Sequence, residues 1–335
     1  MFTRKIGIDL GTANTVVYVP GKGFIVNEPT IVALSRPDNT VLAVGLEAKE
    51  MIGRTPEEIV AYRPLKDGVI ADYYITKAML TYFISKAVSW YSPFGAEVVL
   101  SVPAGITQTE RRAVVNAARE AGARQAFIVR EPVLAALGAG IPINARSGNM
   151  IINMGGGTCE VAVIALGNIV SWVSLRVAGN KFDQAISDYV KKKYSLAIGE
   201  QTAETVKIQI GSALVTKDKM EYHLRGRDLI SGLPKDIVIN SNEIAEALNP
   251  LLMEVANSVQ NVFNATPPEL VADIMEKGII LSGGSAQLHY LPEFFERFLG
   301  VPAYLAEDPL FCVVKGTGLI LNHLDIYKRT LLNKR

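Results

Sequence analysis

The chain has 335 residues, enough for two domains of ordinary size, and its 49% hydrophobic and 20% charged residues exclude intrinsic disorder. A net charge of +1 excludes a global field that would steer the protein to nucleic acid. Two cysteines, Cys159 and Cys312, are too few for a disulfide framework and fit a reducing cytoplasm, and no apolar run reaches the roughly 18 residues of a membrane-spanning helix.

The opening "MFTRKIGIDL" enters a strand-like pattern almost at once, which leaves no room for a signal peptide. In "IGIDLGTANTVVYV" (Ile6 to Val19) an apolar run meets Asp9, turns at Gly11, and continues as alternating apolar residues. That alternation predicts a β-hairpin, against the strand-to-helix crossover of a dinucleotide-binding fingerprint. Further on, "AVSWYSPFGAEVV" places Trp90, Tyr91, Pro93 and Phe94 on a loop between a helix and a strand. "EVVLSVPAG" (Glu97 to Gly105) reads as a buried strand ending at Pro103. "TQTERRAVVNAAREAGA" opens with Thr107 and Glu110 in capping-box spacing, and Ala113, Val114, Ala117, Ala118 and Ala121 share one helical face. "RQAFIVREPVLAALGAGI" predicts a strand running into Glu131, with Pro132 in the first turn of a helix.

"MIINMGGGTCEVAVIAL" (Met150 to Leu166) repeats the design of the first hairpin, with Asn153 opposite Asp9 and Gly155 opposite Gly11. The repeat predicts two related domains facing each other. "KGIILSGGSAQLHYL" supplies a third glycine turn at Gly283 and Gly284, followed by a helix over "LPEFFERFLG" that closes on Gly300. Strands alternating with helices imply an α/β fold with a partly parallel sheet.

Three glycine turns at strand ends can converge on one phosphate-bearing ligand, because backbone N–H groups approach phosphate oxygens when no Cβ intervenes. Thr12 and Thr158 add hydroxyls. Asp9, at the inner end of an apolar strand, is costly to bury alone, and a Mg²⁺ ion held through waters would explain it. Glu131, at a strand-to-helix junction, can polarise an attacking water or serve only as an acid favoured by the helix dipole.

The order "IGIDLGTANT", "REPVLAALGAG", "NMGGGTCEVAV", "SGGSAQL" and "KGTGLIL" resembles the actin, Hsp70 and sugar-kinase ATPase superfamily. Along essentially the whole chain it is more closely similar to the MreB family of bacterial actins, through "NEPTIVAL", "GRTPEEIVAYRPLKDGVIADY", "IGEQTAETVKIQIGSA", "RGRDLISGLPKDI" and "TPPELVADIMEKGIILSGG". The resemblance implies an actin-like (ribonuclease H-like) ATPase fold, two related domains around a nucleotide cleft. Its subdomains would be IA (1–32, 66–145 and 315–335), IB (33–65), IIA (146–181 and 246–314) and IIB (182–245). By motif, Asp9, Gly11, Thr12, Ala13 and Asn14 would meet the phosphates and Mg²⁺ of ATP or ADP from the first turn. Asn153, Gly155, Gly156, Gly157 and Thr158 would do so from the second. Glu204, Thr205, Val206 and Lys207 would line the adenosine side, closed by Gly283, Gly284, Ser285, Ala286 and Gln287. Glu131 would position the attacking water, with Thr158 beside it.

The sequence departs from the family pattern within this site. Asn153 stands where an Asp is usual, which keeps an acceptor oxygen but loses a charge, so Mg²⁺ and its waters should be held less firmly and hydrolysis should be slow. Asn180 and Lys181 replace acids, Arg130 replaces a Glu before Glu131, and Ser285 and Gln287 replace Gly and Leu.

The resemblance also implies head-to-tail self-assembly into paired protofilaments, a place on the inner face of the cytoplasmic membrane, and cell-wall elongation proteins as partners, with no nucleic acid. The aromatic loop (Trp90, Tyr91, Pro93, Phe94) would insert into the bilayer, assisted by Met1 and Phe2 beside Arg4 and Lys5. Two other functions of the superfamily fit less well. A small-molecule (sugar or acetate) kinase lacks an evident second substrate base here, and an Hsp70-type chaperone would need a peptide-binding domain beyond the ATPase core.

Overall fold

A computed structural model describes residues 4–36, 38–51, 58–66, 68–87, 95–327 and 329–332. Two five-stranded sheets carry the architecture. In the first, strands Gly23–Pro29, Asn14–Val19 and Arg4–Leu10 form an antiparallel meander, and Ala96–Val102 and Ala123–Arg130 continue the sheet in parallel. In the second, Asn168–Leu175, Cys159–Ala165 and Asn149–Met154 form the meander, and Ile279–Ser282 and Ala303–Leu305 continue it in parallel. Both sheets therefore have the same strand order and the same switch from antiparallel to parallel pairing. The repeat read from the two glycine hairpins is thus a repeat of whole sheets.

The two sheets share a core. Helix Glu131–Gly138 and helix Cys312–Asn322 cross between them, packing on Val99 and Val129 from one sheet and on Ile151, Ala162 and Ile164 from the other. The crossing is close because Gly138 lies against the Cys312 backbone and Gly316 against the Leu134 backbone, and any side chain at either glycine would collide with a peptide group. Strand Cys159–Ala165 is buried along its whole length, as expected for a central strand covered on both faces.

The local signals act as predicted. Thr107 and Glu110 form a reciprocal capping box at the start of helix Gln108–Glu120, whose Val114, Ala117 and Ala118 are buried. Pro132 occupies the first turn of its helix, and helix Leu291–Leu299 ends on Gly300 at φ 70°. Two further three-stranded sheets flank the main ones, Val41–Val44/Val32–Ser35/Ile59–Tyr62 and Leu196–Ala197/Glu221–Asp228/Pro234–Asn240. Among the described residues, no helix is long and apolar enough to cross a membrane. The membrane-directed residues Met1, Phe2, Trp90, Tyr91, Pro93 and Phe94 lie outside the described residues.

Candidate nucleotide-binding site

The parallel strands of both sheets end at one cavity of about 320 Å³, lined from both halves of the molecule. The first turn leaves strand Arg4–Leu10 so tightly that a Cβ on Gly11 would lie 2.5 Å from the Asn14 carbonyl oxygen. It is held from behind by Thr30, whose hydroxyl donates to the Gly11 carbonyl (2.6 Å) and whose N–H donates to that of Ala13 (2.8 Å). Thr12 Oγ1 accepts the Gly68 N–H at 3.0 Å.

The second turn is closed by the Gly155 N–H donating to the Thr158 carbonyl (2.9 Å), and it packs directly on the first. Gly156 lies against Ala13, and a Cβ on Gly157 would lie 2.6 Å from Thr12 Oγ1. Glycine is required here because two turns from opposite halves meet with no room for a side chain. Helix Gly179–Tyr194 begins on the same turn, its first N–H groups donating to the carbonyls of Gly155 (3.1 Å) and Gly156 (2.8 Å). The third turn bends at Gly283 (φ 90°) and is tied to the second by the Ser285 hydroxyl, which donates to the Gly155 carbonyl at 2.7 Å.

Helix Glu200–Ile210 forms the opposite wall with Glu204, Lys207 and Ile208. The Lys207 ammonium lies 2.7 Å from Asp183 Oδ1 and donates to the Gly179 carbonyl at 3.1 Å, joining this wall to the helix on the second turn. At the mouth, Glu204 pairs with Lys49 (3.3 Å) and Glu200 with Arg63, so one helix is tied across the cleft to the flanking unit that carries strands Val32–Ser35 and Ile59–Tyr62.

Two buried carboxyl groups, Asp9 and Glu131, line the inner end, and a third, Glu160, lies near enough for its charge to act on Glu131. Burial raises Asp9 to about 6 against the opposing effect of the Ser101 hydroxyl, which donates to Asp9 Oδ1 at 2.7 Å. Burial, then the neighbouring charges of Glu160 and Asp9, hold Glu131 well above the usual carboxylate range. Burial likewise raises Glu160 to about 7, although the Ala104 N–H, the Ser174 side chain and the Arg130 charge all favour its ionised form. An excess of buried acid in one cleft suits a ligand that brings cations.

The family model described as "MreB/Mbl protein" matches residues 3–329. The chain belongs to the MreB/Mbl family. The "Cell shape-determining protein Mbl" of Bacillus cereus is 47% identical over 99% of this chain and 100% of its own length. The "Cell shape-determining protein MreB" of Escherichia coli K12 is 44% identical over 100% of this chain and 98% of its own length. Among solved structures, MreB5 of Spiroplasma citri bound to AMPPNP superposes with a TM-score of 0.93 at 38% identity, covering 98% of this chain and 99% of its own. The fold is actin-like.

In this MreB/Mbl chain, most residues singled out by motif line the one cavity: Asp9, Gly11 to Asn14, Glu131, Asn153, Gly155 to Thr158, Glu204, Lys207, Gly283 to Ser285 and Gln287. Thr205, Val206 and Ala286 do not. Helical spacing brings residues 204, 207 and 208 to the cavity, while Thr205 is exposed elsewhere and Val206 is core. Ala286 is fully buried behind the third turn. Lining residues that motif reasoning missed include Val16, Gly179, Asp183, Ile208, Leu310 and Val313. Asp183 had only a partial signal, an acid early in a helix, and its approach to Lys207 comes from the tertiary structure. Leu310 and Val313 had none, since chain distance hides their return to the cleft.

A divalent cation fits these residues only as one held through waters and phosphates. Among the described residues no three acidic, histidine or cysteine side chains group to hold a metal directly. Asp9 supplies a buried carboxyl that a cation would return to its charged form, and Asn153 supplies a neutral oxygen.

Proposed function

We propose that the protein binds ATP or ADP with Mg²⁺ in this cleft and assembles head to tail into actin-like filaments on the inner face of the membrane. There it would help organise cell-wall synthesis and cell shape. The observation that carries the reading is the convergence of three glycine turns, from two sheets of identical topology, on one cavity bordered by buried acids. AMPPNP and ADP complexes of Spiroplasma citri MreB5, at 38% and 39% identity, support the nucleotide, and the cell-shape relatives support the biological role.

In this reading the first two turns present their backbone N–H groups to the phosphates from opposite halves, so bound nucleotide bridges both. Mg²⁺, when bound, offsets the phosphate charge. Glu131 and Thr158 border the place of the terminal phosphate, where Glu131 orients and accepts the proton of the attacking water. Asn153 contributes no charge, so turnover is slow. Glu204 and Lys207 meet the nucleoside, and the four-subdomain division read from the sequence describes the parts that would rotate around it. Trp90, Tyr91, Pro93 and Phe94, with Met1 and Phe2, would anchor the filament to the bilayer.

Electron microscopy of the purified protein with ATP, on lipid monolayers and in solution, tests the reading together with a phosphate-release assay. Filaments that need nucleotide are the expected result. Absence of filaments under all conditions, with rapid turnover of a small-molecule acceptor, would replace it with a kinase.

A further inference from the structure

One buried acid beside the cleft has no place in the chemistry above. Glu160 is 0% exposed and lies on strand Cys159–Ala165, two residues beyond Thr158. Its carboxylate crosses to the other half of the molecule. The Ala104 N–H donates to both oxygens, at 3.0 and 3.1 Å, and Ser174, opposite on the neighbouring strand, supplies a further side-chain bond. Ala104 belongs to the turn that ends strand Ala96–Val102 of the first sheet. The same turn is also gripped by Trp172 of the second sheet, whose ring packs on Gly105.

What this turn carries gives the contact its meaning. Three residues before Ala104 is Ser101, whose hydroxyl donates to Asp9 Oδ1 and accepts the Leu10 N–H (2.9 Å). A continuous line therefore runs from the second phosphate turn through Glu160 and Ala104 to Ser101 and the Asp9 carboxylate. The turns themselves also touch, at Gly157 and Thr12, so this line runs behind a direct contact of the two turns. A carboxylate is suited to the rear contact because it accepts from a single N–H through either oxygen while the halves rotate slightly. Losing it would leave a buried N–H without a partner, which the turn could relieve only by moving.

We propose that Glu160 is a positioning residue that couples the relative placement of the two halves to the Asp9 carboxylate, and so to Mg²⁺ at the nucleotide. The proposal rests on the nucleotide reading above and adds to it a route between the halves that does not pass through the ligand.

The test compares Glu160→Leu, Glu160→Gln and Ser101→Ala, alone and with Glu160→Leu, in the full chain. Binding of a fluorescent ADP analogue is titrated against Mg²⁺, and phosphate release is measured beside it. Glu160→Leu should raise the Mg²⁺ concentration for half-maximal binding about 10-fold, the loss of one well-placed hydrogen bond to a charged group, while affinity without Mg²⁺ stays at the parent value. Glu160→Gln, which keeps an acceptor for Ala104, should remain within about 3-fold of the parent. In the Ser101→Ala background, Glu160→Leu should add little, because both act through one line of contacts.

An unchanged Mg²⁺ requirement in Glu160→Leu, equal damage by Glu160→Gln, or full additivity with Ser101→Ala would each overturn the proposal. Should Glu160→Leu not fold, Ser174→Ala carries the test with a smaller rise of about 3-fold, and no rise overturns it. A parent protein that binds no nucleotide would overturn the functional reading and this proposal together. A parent that binds normally, beside a Glu160→Leu variant that matches it, would overturn this proposal alone.

Discussion

The Ser282 hydroxyl donates to Asn153 Oδ1 at 3.0 Å, in the second sheet, as the Ser101 hydroxyl donates to Asp9 Oδ1 in the first. Both serines stand on the parallel strand next to the one bearing their partner. Asn153 is therefore seated in the geometry of an acid, with the negative charge removed and the supporting hydroxyl kept.

A negative charge at that position should raise turnover. Asn153→Asp is expected to raise single-turnover phosphate release about 10-fold and to lower the Mg²⁺ requirement, since Ser282 is already placed to accommodate a carboxylate. A stopped-flow phosphate sensor measures the rate, and an unchanged rate would show that the missing charge at Asn153 does not limit hydrolysis.

The buried Asp9 gives nucleotide binding a pH dependence of definite sign. Its folded value is raised from 3.8 to about 6, so in the free protein ionisation costs stability progressively as pH rises from about 4 through about 6. Mg²⁺ needs the ionised form and must displace the proton below that pH. Affinity for Mg·ADP should therefore be flat from pH 8 to 7 and fall by up to about tenfold per unit below pH 6. Titration of a fluorescent analogue between pH 5 and 8, with and without EDTA, checks this; a slope that survives EDTA would assign it to another group.

The ion pairs at the cleft mouth should govern nucleotide release. Arg63 and Glu200 are partly exposed, at 34% and 61%, so their pair is modest and sensitive to salt. Arg63→Glu or Glu200→Arg alone should speed release of a bound fluorescent ADP about 2- to 5-fold, and the double exchange should return the parent rate. Release as fast in the exchanged pair as in either single variant would show that the contact does not restrain opening.

The meeting of the first two glycine turns is intolerant of side chains. Gly157→Val would drive a Cβ to within 2.6 Å of Thr12 Oγ1 and 2.8 Å of its Cβ and Cγ2. Overpacking of this kind costs about 1–3 kcal/mol, and we expect about a 10- to 100-fold loss of nucleotide affinity. Calorimetric titration measures it, with the unfolding temperature as control; undiminished affinity would mean that the turns need not touch when nucleotide is bound.

Much of this molecule was legible in its residues. Apolar alternation after Asp9 and Asn153 specified hairpins, and the similarity of the two segments announced a doubled architecture, because period-two patterning and glycine turns are local properties. Thr107 with Glu110, Pro132 and Gly300 marked helix ends by hydrogen-bonding rules that act within one turn. Family motifs also picked out most of the residues that line the cavity. The spacing rule that placed Glu204 and Lys207 on one helix face also shows why Thr205 and Val206 do not belong with them.

Only the tertiary structure decided which groups face one another across the halves. Glu160 reads in sequence as one polar residue in an apolar strand, and its partner Ala104 lies 56 positions earlier, with nothing in its type to mark an N–H donor. Ser285, seen by motif as a replaced glycine, became the tie between the third turn and Gly155. Asp183, Leu310 and Val313 reached the cleft by the same route. Local sequence sets backbone periodicity and chain reversals, whereas a carboxylate's partner and proton affinity depend on what the folded chain buries beside it.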